Sequence, residues 1–273
     1  MRLNPAGSSG AWGYLTNGVN TDLPGNYVLK FNNLKSVTFS NTYVPSWYRT
    51  LSGITLGDTL TALDDNCFQW LSNWVPVGPN DELSTFVVPA NIERMSMTRT
   101  FRNCRKIKRI VFENAKNIKE TSSTDIGMFA TFMQCYGLTA IDGLSDLTAC
   151  TALSAYSFAY TQVTRLDLRN IVQLGNSSMT SANEPFLNCT NLQDIVLDYN
   201  NMDSDAFSIS KFLFASTKAK NGTFNIRILN CPEGYASEFL VWARGKLQGI
   251  AALKNKATVR LYGTTDNKFT DWD

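Results

Sequence analysis

Apolar residues recur down this chain in one short cadence: an apolar residue, two spacers, then two apolar residues flanking a third. It occurs at Leu34, Val37 and Phe39, at Ile54 and Leu56, at Leu83, Phe86 and Val88, and at Ile107, Ile110 and Phe112. It continues at Leu138 and Ile141, at Val163, Leu166 and Leu168, and at Leu192, Ile195 and Leu197. Ile226 with Ile228 and Val259 with Leu261 complete the series. Alternation over so few residues predicts a short strand with one buried face. The first strand positions are 37, 54, 86, 110, 141, 166, 195, 226 and 259, at steps of 17, 32, 24, 31, 25, 29, 31 and 33 residues.

A second phrase is locked to the first. Phe101, Cys104 and Ile107 keep the spacing F-x-x-C-x-x-apolar, as do Phe132, Cys135 and Leu138, and Phe186, Cys189 and Leu192. A repeat of this length means stacked turns of chain. The predicted fold is an α/β solenoid of leucine-rich-repeat kind, with one short parallel β-strand per rung and irregular return segments. The Phe falls where the return segment bends back over the core. The uneven steps predict insertions on the convex side. Solenoids present extended surfaces, and few enclose a catalytic pocket.

The unit from Leu83 through Phe86, Val88, Pro89, Ile92 and Met95 to Phe101 and Cys104 is the fullest, and Ile54 to Phe68 shares its layout. It resembles the BspA-like class of bacterial leucine-rich repeats, whose unit reads roughly L-x-x-I-x-I-P-x-x-V-x-x-I, then A-F-x-x-C. The resemblance covers about Leu34 to Asn230 and is specific around Phe101 and Phe186. It degenerates at Phe158, where Thr161 replaces Cys and the next apolar residue comes one position early. At Phe214 it weakens further: Thr217 replaces Cys, and residues 218–222 are inserted. The resemblance implies the fold strongly, and the adhesion often seen in surface proteins of this class only loosely.

The ends depart from the repeat. Residues 1–33 are rich in Gly, Asn, Ser and Thr and read as an arm or cap; residues 34–230 form the predicted solenoid; residues 231–273 form a C-terminal cap. Within that cap, 236–256 reads as an amphipathic helix, with Phe239, Ala243, Leu247, Ile250 and Leu253 on one stripe. Ser237 is its candidate N-cap, and Pro232 and Gly234 punctuate the entry. The six tryptophans lie outside the regular middle, which suits capping or contact with another subunit.

Composition narrows the chemistry. A net charge of +2 gives bulk attraction no polyanion partner to favour. With no histidine, Ser-His-Asp and Cys-His catalysis are excluded. No two of the six cysteines form a C-x-x-C pair. Cys104, Cys135 and Cys189 share one repeat position and are expected to pack as a column of small buried residues, with disulfides between rungs left open. The first ten residues hold no apolar run of a secretory signal. No stretch is long and apolar enough to span a membrane.

Outward positions on the strands define the candidate binding face. The middle column is Thr38, Thr55, Val87, Val111, Asp142, Asp167, Val196, Arg227 and Arg260, flanked by Arg109, Ala140, Arg165, Asp194 and Asn225 on one side. The other flank includes Glu113, Arg169, Asp198 and Leu229. From these, Arg109, Val111, Glu113, Arg165, Asp167, Arg169, Asp194, Val196, Asp198, Asn225 and Arg227 are the candidate contacts for a protein or glycan. The competing reading is a solvated sheet face whose charges pair across strands.

Other features carry less. Arg94, Arg99, Arg102, Arg105, Lys106, Lys108, Arg109, Lys116 and Lys119 concentrate positive charge, but no aromatics interleave with them in the sequence as stacking platforms would require. A solvated convex face is expected there. The oxygen-rich run from Asp198 to Asp205 fails the EF-hand pattern at Met202, and Asp203 to Asp205 read as a helix start. Asp64 and Asp65, being adjacent, make a poor glycosidase dyad. No catalytic, metal or cofactor site is expected.

The sequence thus points to a non-enzymatic recognition or structural protein that binds a protein or glycan, without nucleic acid or membrane insertion. A phage virion component, assembled in host cytoplasm and attached to other subunits through its N-terminal arm, is the favoured setting. A secreted or cell-surface adhesin is the alternative, and a β-helical polysaccharide-degrading tailspike a second one.

Overall fold

A computed structural model describes residues 60–63, 65–119, 127–147, 150–172, 185–201 and 224–230, and the backbone of the remaining strands named below. Fifteen strands follow in chain order: β1 (Arg2–Pro5), β2 (Gly13–Tyr14), β3 (Val28–Phe31), β4 (Leu34–Thr38) and β5 (Gly53–Leu56). Then come β6 (Ala62–Leu63), β7 (Thr85–Val88), β8 (Arg94–Met95), β9 (Arg109–Phe112) and β10 (Ala140–Asp142). β11 (Arg165–Asp167), β12 (Asp194–Asp198), β13 (Phe224–Leu229), β14 (Ala257–Tyr262) and β15 (Phe269–Asp271) complete the series.

The repeat strands pair in parallel, rung on rung. Phe86, Ile110 and Ile141 stand in register across β7, β9 and β10. Leu166, Ile195, Ile226 and Val259 do so across β11 to β14. A second parallel column, β4, β6 and β8, runs along another side. Here one expectation is corrected. Leu34 to Val37 belongs to this second column, with Val37 opposite Leu63, and Thr38 faces Arg2. The strand position preceding Ile54 is Leu29, its partner between β3 and β5. Both columns use the same alternation, so the pattern alone did not separate them; with Leu29 in place, the anomalous 17-residue step disappears.

The α/β expectation is corrected too. Among the described residues helix is confined to single 3-10 turns, such as Ala115–Asn117 and Leu144–Asp146. The return segments stay non-helical because left-handed residues interrupt them on either side of the Phe. Arg99 and Asn103 flank Phe101, Ala130 and Gln134 flank Phe132, and Tyr156 and Tyr160 flank Phe158, all at φ between 50° and 65°. Such residues break an α-helix. They aim backbone N–H groups at the neighbouring rung instead. Phe101 N donates to Thr131 O at 3.0 Å, Phe132 N to Ser157 O at 2.8 Å, and Phe158 N to Pro185 O at 2.8 Å. The predicted helix at 236–256 lies outside the described residues.

These bonds hold a ladder of rings. Phe68, Phe101, Phe132, Phe158 and Phe186 stack with centroids 5.5, 5.7, 5.3 and 5.7 Å apart and planes within 24° of parallel. Neighbouring rungs are about 4.8 Å apart, so the rings are offset, the arrangement the aromatic quadrupole favours. All five are buried. Trp74 and Phe86 close the first-described end of the ladder against Phe68, at 5.2 and 5.1 Å. Trp74 is therefore a core residue.

The cysteine column does more than fill space. Cys104 Sγ donates to Phe68 O at 3.0 Å, Cys135 Sγ to Phe101 O at 2.9 Å, and Cys189 Sγ to Phe158 O at 2.9 Å. Each thiol ties its own rung to the stacked Phe of the preceding described rung. Cys67, Cys104, Cys135, Cys150 and Cys189 are all buried, and none of them is in a disulfide. Burial pushes the Cys135 thiol up to about 12 and the Cys189 thiol up to about 11.

Candidate functional site

The strand face is assembled in rows set by the parallel register. Thr85, Arg109 and Ala140 form one row, and Val87, Val111 and Asp142 the next. Beyond β10, Arg165, Asp194 and Asn225 form a row, followed by Asp167, Val196 and Arg227. Asp198 pairs with Leu229. Thr38 leaves this face for the second column.

Most charges on this face are spent on each other. Arg109 bridges Asp142 at 2.5 Å and Glu82 at 3.3 Å. The hydrogen bond to Asp142, more than any other influence, raises the Arg109 pKa. Arg169 grips Asp167 with Nε and Nη2, both at 2.8 Å, and that contact raises its pKa in the same way. Arg227 meets Asp194 at 3.0 Å. Asp198 accepts from Asn230 Nδ2 at 3.0 Å and from Asn200 N at 3.0 Å. Glu113 accepts from the backbone N–H of Ala90 at 3.2 Å. Val196 is only 4% exposed, so it offers no surface to a partner. A short branched side chain held in register between Asp167 and Arg227 is shielded from both sides. Val111 and Asn225 are half-buried. Arg165 is exposed and makes no ion pair among the described residues.

Strand pairing along the face is interrupted between β5 and β7 and again between β10 and β11, and the second seam lies wholly among described residues. The ladder ends at β10, and the next begins at β11 with no strand pairing between them. The cause is visible in the repeat. Ile110 follows Phe101 by nine positions, Ile141 follows Phe132 by nine, and Ile195 follows Phe186 by nine, but Leu166 follows Phe158 by eight. That unit is one residue short, and its strand cannot keep the register of the one before.

The feeder hydrogen bonds shift accordingly. Thr139 N reaches Lys108 O at 2.8 Å in a regular rung, whereas Gln162 N reaches Leu138 O at 2.8 Å at the seam. Gly143 ends β10 at φ +79°, and the chain turns away through Leu144–Asp146. Ile141 stays half-buried, where its register mate Ile110 is fully buried.

The result is an open cleft of about 370 Å³ between the two ladders. Its walls include Thr139, Asp142, Ser145, Thr164, Arg165 and Asp167. Asp142 and Asp167 are neutralised from outside by Arg109 and Arg169, so the charge left to a ligand is Arg165, among hydroxyls. Sequence reasoning named Arg165, Asp167 and Asp142 but missed Thr139, Ser145 and Thr164. The signal that points to them is the short Phe158 unit.

The basic run does not form one patch. Arg94 and Lys119 bridge in the second column, Arg109 faces the strands, and Lys116 lies 3.9 Å from Asp146. Arg99, Arg102 and Arg105 emerge on the turn edge, each over an aromatic ring supplied by another rung. The rings are Phe129 at 4.6 Å, Trp70 at 5.3 Å and Tyr136 at 5.5 Å. The expectation that aromatics do not interleave with these arginines is thereby overturned in space. Asp65, half of the improbable dyad, accepts a hydrogen bond from the Ser96 hydroxyl. Asp203 to Asp205 lie outside the described residues.

Parallel strands stacked rung on rung around one aromatic column, with a polar outer face, define a β-solenoid of leucine-rich-repeat type. The chain belongs to the BspA type leucine rich repeat family: residues 25–124, 47–183 and 79–233 match that repeat region, in six copies. No curated protein and no solved structure matches the chain.

Proposed function

We propose that this chain is a non-enzymatic recognition protein that engages a protein partner on its strand face, centred on the cleft between β10 and β11. Family membership supports the class, since leucine-rich repeats generally mediate contacts between proteins. The observation that carries the location is the seam. A solenoid gains most from unbroken pairing, yet here it keeps an opening lined by Thr139, Thr164 and Ser145 hydroxyls and one free guanidinium, Arg165. Hydroxyl and guanidinium groups orient a partner's polar side chains or backbone, while the neutralised Asp142 and Asp167 avoid repelling an acidic one.

The setting we favour is a virion assembled in a reducing cytoplasm. Five buried cysteines outside any disulfide, three of them used as hydrogen-bond donors, support folding where disulfides do not form. The adhesin remains the alternative setting for the same face.

Labelled protein added to bacterial cells tests the reading. Binding is expected to fall about tenfold or more in Arg165→Glu and after protease treatment of the cells, and to survive in Lys106→Glu. Binding unaffected by Arg165→Glu, or abolished by periodate and not by protease, overturns it.

A further inference from the structure

The turn edge holds a second site, built from parts the strand face does not use. Arg99 and Arg102 leave one tight turn, closed by Arg102 N donating to Arg99 O at 3.1 Å. The same turn recurs in other rungs, with Asn66 and Gln69, Ala130 and Met133, and Tyr156 and Ala159 at its corners. Among the described turns, only this one has arginine at both corners. Two guanidinium groups in one turn repel each other, and burial followed by the Arg99 charge lowers the Arg102 pKa.

No carboxylate relieves them among the described residues. The Nε of each is buried and finds no acceptor there. Burial keeps each Nε out of a ligand's reach, so an oxyanion is received by the outer Nη groups, which make no ion pair among the described residues.

The rings around the pair say more about the ligand. Phe129 backs Arg99 and Trp70 backs Arg102, which fixes the planes of both guanidinium groups. Tyr156 lies near enough to act on the charge of Arg102. Arg105 stands over Tyr136, which meets Tyr160 edge to face at 6.2 Å and is still 42% exposed. The three guanidinium groups of the Phe101 rung are thus followed, in the next two rungs, by amphipathic phenols.

We propose that this edge binds an acidic polysaccharide of the uronic-acid class, its carboxylates taken by Arg99 and Arg102 and its sugar rings lying along Tyr136, Tyr156 and Tyr160. Sugar rings carry both C–H faces and hydroxyls, which match the face and the OH of tyrosine. A nucleic acid fits less well, because the rings of Trp70 and Phe129, those nearest the arginine pair, each have a face covered by arginine, where base stacking needs open ones.

Affinity electrophoresis through gels containing polygalacturonate tests this on the full chain. Retardation is expected with polygalacturonate and lost with its fully methyl-esterified form, which keeps the sugars and removes the charge. Arg99→Gln with Arg102→Gln weakens binding about tenfold or more, and Arg102→Lys weakens it too, since an ammonium lacks the fork. Lys106→Gln leaves it unchanged. Equal retardation by the esterified polymer overturns the proposal, as does equal or tighter binding of poly-glutamate or poly-uridylate. Because the esterified polymer is tested on the unaltered protein, the result stands even if the double variant does not fold. The Arg165→Glu protein retains this binding, which keeps the edge separable from the strand face.

Discussion

The Cys135 thiol donates a hydrogen bond to the carbonyl oxygen of Phe101, 2.9 Å away in the adjoining rung. The same link joins Cys104 to Phe68 and Cys189 to Phe158. The cysteine of the repeat is thus a donor as well as a small apolar filler. Thr161 occupies the column in the Phe158 rung and contacts Cys189 Sγ at 3.5 Å, so a hydroxyl is accepted there. Cys135→Thr should cost less than about 1 kcal/mol, while Cys135→Ala, losing the donor and leaving a small void, should cost about 1–2 kcal/mol. Urea denaturation midpoints decide between them.

The same thiols make stability fall with alkali. Unfolded thiols release their protons near 9, whereas folded Cys135 holds its proton to about 12 and Cys189 to about 11. Folded pKa values above unfolded ones mean that the contribution is complete below pH 9 and is lost as pH rises from there toward 11 to 12. Tyrosines and lysines titrate in this range too, so the difference between the unaltered protein and Cys135→Thr isolates the effect. That difference, under about 1 kcal/mol at neutral pH, should shift by up to about 1.4 kcal/mol per pH unit above 9 and so reverse, leaving Cys135→Thr the more stable protein in alkali. Native protein at pH 8 should leave Cys104, Cys135 and Cys189 unalkylated, as peptide mapping after iodoacetamide would report.

Phe132 touches a ring on either side, at 5.7 and 5.3 Å. Phe132→Ala removes both contacts and opens a cavity in mid-ladder, for about 3–5 kcal/mol. Adding Phe101→Ala should cost less than the sum of the singles, because the two deletions share a contact and a cavity. Calorimetry or denaturant titration of the three variants would reveal the shortfall.

Gly143 sits at φ +79°, where a Cβ would stand 2.7 Å from the carbonyl oxygen of Phe112. Both the backbone conformation and the crowding oppose any side chain. Gly143→Ala should lower stability by about 1–3 kcal/mol and should also disturb the cleft it borders. Thermal melts alongside the cell-binding assay would show the two effects together.

Arg109 is paired with Asp142 and Glu82, but the three side chains are each more than 40% exposed. Solvent screens such pairs. Arg109→Gln should change stability by no more than about 1 kcal/mol, and by less in high salt. A melting temperature compared at low and high sodium chloride checks this.

The periodic spacing of Phe101, Phe132, Phe158 and Phe186 was sufficient by itself to predict one shared column, because rungs of near-constant geometry must place equivalent residues over one another. Ile110 above Ile141 and Ile195 above Leu166 were legible for the same reason. The eight-residue step from Phe158 to Leu166 was legible too, and a one-residue shortfall is enough to open a seam. Which sheet Leu34 to Val37 would join was not: strands in both columns bury alternate residues, and only the choice of hydrogen-bonded partner separates them. Nor was the fate of the charges. Arg102 finds Trp70, and Arg109 finds Asp142, across a full turn of chain, so those pairings exist only once the turns are stacked.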